Sequence, residues 1–165
     1  MAPSARPARI GFLLAQLGAH SGARFAERTK EIGLTPTQAG VLRVLAGQPG
    51  MNQRDLARRL GAVQSRVVVL IDGLEAAGLV VRERSATDRR NYALQLTDDG
   101  RATLGRLRTI AEAHEADIAD GLTGDQRDTL AALLTEMCVR AGLDVDVHTG
   151  IAQSEQKEHP GPAVG

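Results

Sequence analysis

The sequence predicts a mainly α-helical fold of six helices with one small β-hairpin between the fourth and fifth. Three observations carry this. Apolar residues recur at helical spacing in six separate stretches, each stretch is bounded by a capping residue or a glycine, and two short strand-like segments flank a polar connection containing arginines.

Residues 1–9 contain Pro3 and Pro7 and are expected to form a flexible tail. Ile10, Leu13, Leu14, Leu17 and Phe25 then share one face of a helix over residues 10–31, and His20 lies on the same stripe. Gly33 ends this helix. Thr35-Pro36-Thr37-Gln38 reads as an N-cap, a proline at the first helical position and a capping-box glutamine, and opens a second helix that buries Val41, Leu42 and Leu45. Asn52 caps a short third helix, with Asp55 in its first turn and Leu56 and Leu60 pointing inward. After a turn at Gly61, a fourth helix over residues 63–77 carries Val67, Leu70, Ile71 and Leu74 on its inner face.

Residues 79–84 and 92–96 read as strands, the second alternating Tyr92, Leu94 and Leu96 against Ala93 and Gln95. Their connection over residues 85–91 is too long for a tight turn and is expected to protrude. Thr97 caps a long fifth helix in which Leu104, Leu107, Ala111, His114 and Ile118 step by three and four. Thr123-Gly124-Asp125-Gln126 repeats the capping box before a sixth helix bearing Leu130, Leu133, Leu134, Met137 and Ala141. Residues 142–165 lack such a period and are expected to be a mobile tail.

Composition narrows the function. At 165 residues the chain is expected to be one compact unit, and its 42% hydrophobic and 24% charged content is that of a globular domain. Phe12, Phe25 and Tyr92 are its only aromatics besides histidine, so stacking on bases or sugars is not the expected binding mode. The single cysteine, Cys138, excludes an internal disulfide and a cysteine zinc cluster and fits a reducing cytoplasm. No apolar run reaches membrane-spanning length, and the run after Arg6 and Arg9 breaks at Gln16, unlike a secretory signal.

There is no Gly-rich phosphate loop, nucleophile elbow, acid–base pair or metal-ligand spacing, so neither an enzyme nor a cofactor or metal site is expected. Formal charge is zero overall but polarised, at +4 over residues 1–51, +3 over 52–106 and −7 over 107–165. Arginine outnumbers lysine 18 to 2, a choice that suits bidentate phosphate contacts and equally reflects GC-rich coding.

Three short helices followed by a hairpin with a basic tip is the order of a winged helix-turn-helix, whose third short helix enters the DNA major groove. That helix presents Gln64, Ser65, Arg66, Val68 and Val69 outward near its start, a set able to hydrogen-bond base edges and touch thymine methyl groups. Val68 and Val69 want a partner surface, either the groove or a neighbouring element. Asn52, Gln53, Arg54, Arg84, Arg89 and Arg90 complete the candidate DNA contacts. Arg58 and Arg59 are either phosphate neutralisers or a solvated helix face, and Asp88 is expected to pair with a neighbouring arginine and brace the wing. A winged-helix protein-interaction module without operator binding is the alternative.

The run Leu56-Ala57-Arg58-Arg59-Leu60-Gly61, the stretch Leu74-Glu75-Ala76-Ala77-Gly78-Leu79-Val80, and Asp88-Arg89-Arg90 followed by Leu94, Leu96-Thr97 and Gly100 resemble the MarR family of bacterial transcription regulators over residues 10–141. The resemblance implies a homodimer interlocked through its first, fifth and sixth helices and set on a pseudo-palindromic operator in double-stranded DNA. It also implies that Arg90 enters the minor groove while Asp88 braces the wing. Val63 departs from the capping or acidic residue common there, and Val69 from a position often polar.

The chain then divides into a dimerisation helix over residues 10–32, a winged DNA-binding domain over 33–97 and dimerisation helices over 98–141, with Leu107 on the dimer stripe. The resemblance further implies a repressor released by a small aromatic or phenolic anion, for which Gln16, His20, Arg24 and His114 are the candidate pocket. The histidines are otherwise satisfied core residues. A redox response through Cys138 is the remaining alternative, against an inert buried thiol.

Overall fold

The computed structural model describes residues 9–84 and 92–145. Its elements run α1 (Ile10–Lys30), α2 (Pro36–Gly47), α3 (Gln53–Leu60), α4 (Gln64–Ala76), β1 (Val80–Arg84), β2 (Tyr92–Leu96), α5 (Asp98–Ile118) and α6 (Gly124–Arg140). The expected six helices and hairpin are all present. The fourth helix is one residue shorter at each end than its apolar pattern suggests, because Val63 and Ala77 are its flanking caps.

Local side-chain chemistry sets the boundaries. Thr35 and Gln38 close a complete capping box at α2, and Thr123 and Gln126 close a second at α6. At α3, Asn52 Oδ1 accepts the Asp55 backbone N–H at 2.9 Å. Gly61 ends that helix with φ +60°, in the left-handed region that glycine enters without a Cβ clash.

β1 and β2 pair antiparallel from Val80 opposite Leu96 to Arg84 opposite Tyr92. The chain entering α3 adds a short third edge to this sheet: the Leu94 N–H donates to Met51 O at 2.9 Å, the Gly50 N–H to Leu94 O at 3.2 Å, and Asn52 bridges Ala93. The hairpin is thereby fixed to the start of the helix-turn-helix.

The core lies within this winged unit. Val41, Leu42 and Leu45 of α2, Leu56 and Leu60 of α3, Val67, Ile71 and Leu74 of α4, and Val80, Leu94 and Leu96 of the hairpin form one buried cluster. Leu107 of α5 belongs to the same cluster, which corrects its expected place on a dimer stripe: the face of α5 carrying it packs on its own chain. Phe25 of α1 packs against this cluster from outside.

α1 and α6 contrast with this. No residue of α6 is buried, and Ile10, Phe12, Leu13, Leu14 and Leu17 of α1 are exposed together with Leu130, Leu133 and Met137 of α6. No described helix is long and apolar enough to cross a membrane.

The junction from the wing into α5 explains Gly100. Thr97 accepts the Gly100 N–H at 2.9 Å and donates to Gly78 O at 2.6 Å, while its own N–H donates to Leu79 O at 3.1 Å. These bonds draw the first turn of α5 so close to the strand entry that a Cβ at Gly100 would lie 2.1 Å from Leu79 O. Gly100→Ala is therefore expected to destabilise the chain by about 1–3 kcal/mol, the usual cost of overpacking. Urea denaturation of the two proteins measures it.

Candidate nucleic-acid interface

The outer surface of α4 presents a mixture of apolar and polar side chains to solvent. Gln64 and Ser65 are exposed at its start, Val63 and Val69 are 69% and 71% exposed, and Arg66 is partly buried. Val68 departs from the expectation of two adjacent outward valines: it is half-buried, lying about 100° round the helix from the fully buried Val67. No side chain caps α4, so Val63 leaves the first-turn N–H groups to other partners.

The other candidate contacts are placed unequally. Arg54 and Arg84 are exposed. Asn52 uses both ends of its amide on Asp55, Oδ1 accepting from the backbone and Nδ2 donating to Oδ2 at 2.8 Å. Gln53 faces the Arg82 guanidinium; with the amide turned so that oxygen meets the cation, it accepts from Nη2 at 2.8 Å and from Nε at 3.1 Å. Arg58 pairs with Asp55 at 2.7 Å, and Arg59 lies 3.7 Å from Asp144, beyond the end of α6. Asp88, Arg89 and Arg90 lie outside the described residues.

The candidate ligand residues separate into two groups. Gln16 and His20 are exposed on the outer part of α1. His114 is only 8% exposed: its Nε2 hydrogen-bonds Ser21 Oγ at 3.0 Å, its ring lies 5.4 Å from that of Phe25, and its buried Nδ1 has no partner among the described residues. The expected grouping is corrected in this respect, since one residue along α1 turns the side chain by about 100°, which puts Ser21 rather than His20 against His114.

Arg24 and Arg28 both pair with Asp117 one turn further along α5, Arg24 at 3.2 Å. Ser21 and Arg28 were not singled out from the sequence, and Phe25 was read only as part of the apolar stripe. The signal that could have found them is the spacing of Ser21, Phe25 and Arg28 by four and three, which aligns them on one helical face. Cys138 is half-buried on α6, and among the described residues no group of three or more His, Cys, Asp or Glu could hold a metal.

Burial, followed by the Arg28 guanidinium, lowers the His114 pKa from its ordinary 6.5; hydrogen bonding to Arg24 and the charge of Arg28 lower that of Asp117.

A helix-turn-helix with an open second helix, buttressed by a hairpin on an α-helical frame, defines a winged helix-turn-helix protein. Comparison with known proteins agrees. Residues 32–91 match the model of the MarR family. The chain is 36% identical over 105 residues to a Thauera aromatica protein assigned as transcriptional regulator for the hcr operon, a match that spans 64% of this chain and 63% of that one. The solved repressor CouR bound to a 23-mer DNA duplex superposes with a TM-score of 0.70 at 38% identity, over 78% of this chain and 91% of CouR. CouR from Rhodococcus jostii RHA1 bound to p-coumaroyl-CoA gives 0.71 at 28% identity, over 85% and 96%. The chain belongs to the MarR family, whose members are transcriptional regulators rather than enzymes.

The lowered His114 pKa sets a direction for pH dependence. The unfolded chain takes up a proton near pH 6.5 and the folded chain only at lower pH, so stability falls as pH drops through 6.5 and levels off below the folded value. His114→Gln is expected to flatten this part of the profile in urea melts at about pH 7.5 and about pH 5.5. An unchanged slope would show that His114 is not its source.

Proposed function

We propose that the chain is a cytoplasmic, homodimeric, sequence-specific DNA-binding repressor, acting on a pseudo-palindromic operator and released by a small aromatic or phenolic ligand. The observation that carries DNA reading is the exposed start of α4. Gln64 and Ser65 offer donors and acceptors to base edges, and Val69, 71% exposed, offers methyl groups to thymine. The exposed Arg54 and Arg84, with Arg66, Arg89 and Arg90, supply positive charge for phosphate and minor-groove contacts, with Asp88 bracing the wing.

Dimerisation is supported by the uncovered apolar faces. Residues 10–32 and 98–141 frame the winged unit of residues 33–97, and the leucines Leu13, Leu14 and Leu17 of α1 and Leu130 and Leu133 of α6 are exposed among the described residues. A second copy related by a two-fold axis covers them and pairs the two α4 helices.

Ligand release is supported by the cluster where α1 meets α5. Phe25 and His114 offer aromatic surface to a ring, and Arg24 and Arg28, which Asp117 now occupies, suit an anionic group. CouR binds p-coumaroyl-CoA, whose acyl group carries a phenolic ring joined to a much larger coenzyme A part.

A gel shift with DNA from upstream of the chain's own gene tests the reading. Binding is expected to weaken steeply with salt, with a slope near −7 in log K against log salt for about eight neutralised phosphates per dimer. Arg90→Ala is expected to cost about 1–3 kcal/mol per protomer. Leu133→Asp, on the exposed face of α6, is expected to yield folded monomers that lose tight binding. Titration with p-coumarate and p-coumaroyl-CoA is expected to release the complex. Salt-insensitive or absent DNA binding would overturn the reading in favour of a protein-interaction module.

A further inference from the structure

Arg82 sits at the meeting point of three elements. Its side chain leaves β1 and pairs with Asp72 and Glu75, one turn apart on α4, and its own backbone N–H donates to Glu75 Oε1 at 3.3 Å. From the opposite side, Gln53 at the start of α3 accepts from Nη2 at 2.8 Å and Nε at 3.1 Å. All three guanidinium nitrogens are therefore engaged. The side chain is only 21% exposed, while Asp72 and Glu75 are more open.

We propose that Arg82 is the positioning residue for DNA reading: it clamps the reading helix α4 against the wing strand and the head of α3, and Gln53 serves this clamp rather than touching DNA. The inference rests on the DNA-reading function proposed above.

The geometry gives the clamp its reach. Ile71 and Leu74 bury the inner face of α4, which fixes its depth but allows the helix to roll and slide on an apolar surface. Directional hydrogen bonds on the outer side restrict that freedom. Arginine suits the task because its planar fork presents donors in fixed directions to separate acceptors, whereas lysine offers one compact charge. Base-edge hydrogen bonds from Gln64 and Ser65 depend on the helix angle; phosphate attraction depends on it far less. Loosening the clamp therefore acts on sequence discrimination before it acts on overall affinity.

The test compares Arg82→Lys and Gln53→Glu with the unaltered protein on two duplexes of equal length, one from upstream of its own gene and one of random sequence, with thermal melting of each protein. Arg82→Lys is expected to lose about tenfold on the upstream duplex while holding within about twofold on the random one. Gln53→Glu adds a carboxylate to the guanidinium and is expected to keep upstream binding within about threefold without lowering the melting temperature. If Gln53 touched DNA, the new negative charge would cost tenfold or more, and that loss would overturn its assignment to the clamp.

Equal losses of Arg82→Lys on both duplexes, or none on either, would overturn the positioning role. Should Arg82→Lys fail to fold, the Glu75→Gln variant takes its place with the same expected and contrary outcomes. An unaltered protein that binds the two duplexes equally would instead overturn the DNA-reading function itself, and the clamp with it.

Discussion

The burial of apolar surface divides this molecule into a part that satisfies itself and a part that does not. The winged unit closes a core from α2, α3, α4, the hairpin and Leu107 of α5. α6, by contrast, spans 17 residues without burying one, and the first half of α1 is exposed throughout. Most helical stability in proteins comes from tertiary packing of an amphipathic face. Rows of exposed apolar residues on both helices point to an occupant, and a second copy brings an identical surface to them. In the proposed dimer, that contact would set the spacing of the two α4 helices and with it the operator symmetry.

The polar contacts divide along the same line. Thr97, Gly78, Leu79 and Gly100 tie the entry of the wing to the start of α5. At the far end of α5, His114 and Asp117 meet Ser21, Arg24 and Arg28 of α1. α5 thus joins the proposed ligand cluster at one end to the winged unit at the other, and in the proposed function a ligand that redistributes the Asp117 pairs would act on this connecting helix.

Much of the fold was legible because its signals are local. Thr35 with Gln38, Asn52 with Asp55, and Thr123 with Gln126 each act across three residues, and Gly61 acts at one. Long-range pairings were not. The Ser21 and His114 contact joins residues 93 apart, and a one-residue turn of α1 decides whether His20 or Ser21 makes it. Likewise the stripe through Leu107 shows that α5 buries one face, but a repeat of three and four cannot say against which chain. Arg82, Asp72 and Glu75 resemble an ordinary charged surface in sequence, and only the hairpin's return over α4 brings them together.

Sedimentation equilibrium of the unaltered chain, without DNA, from micromolar to low nanomolar concentration tests the central claim most directly. The account predicts a mass twice that of the 17.5 kDa chain across the micromolar range, with dissociation only on strong dilution. A stable, folded 17.5 kDa monomer at all concentrations would contradict it, because the leucines of α1 and α6 would then remain in water with no second copy to cover them.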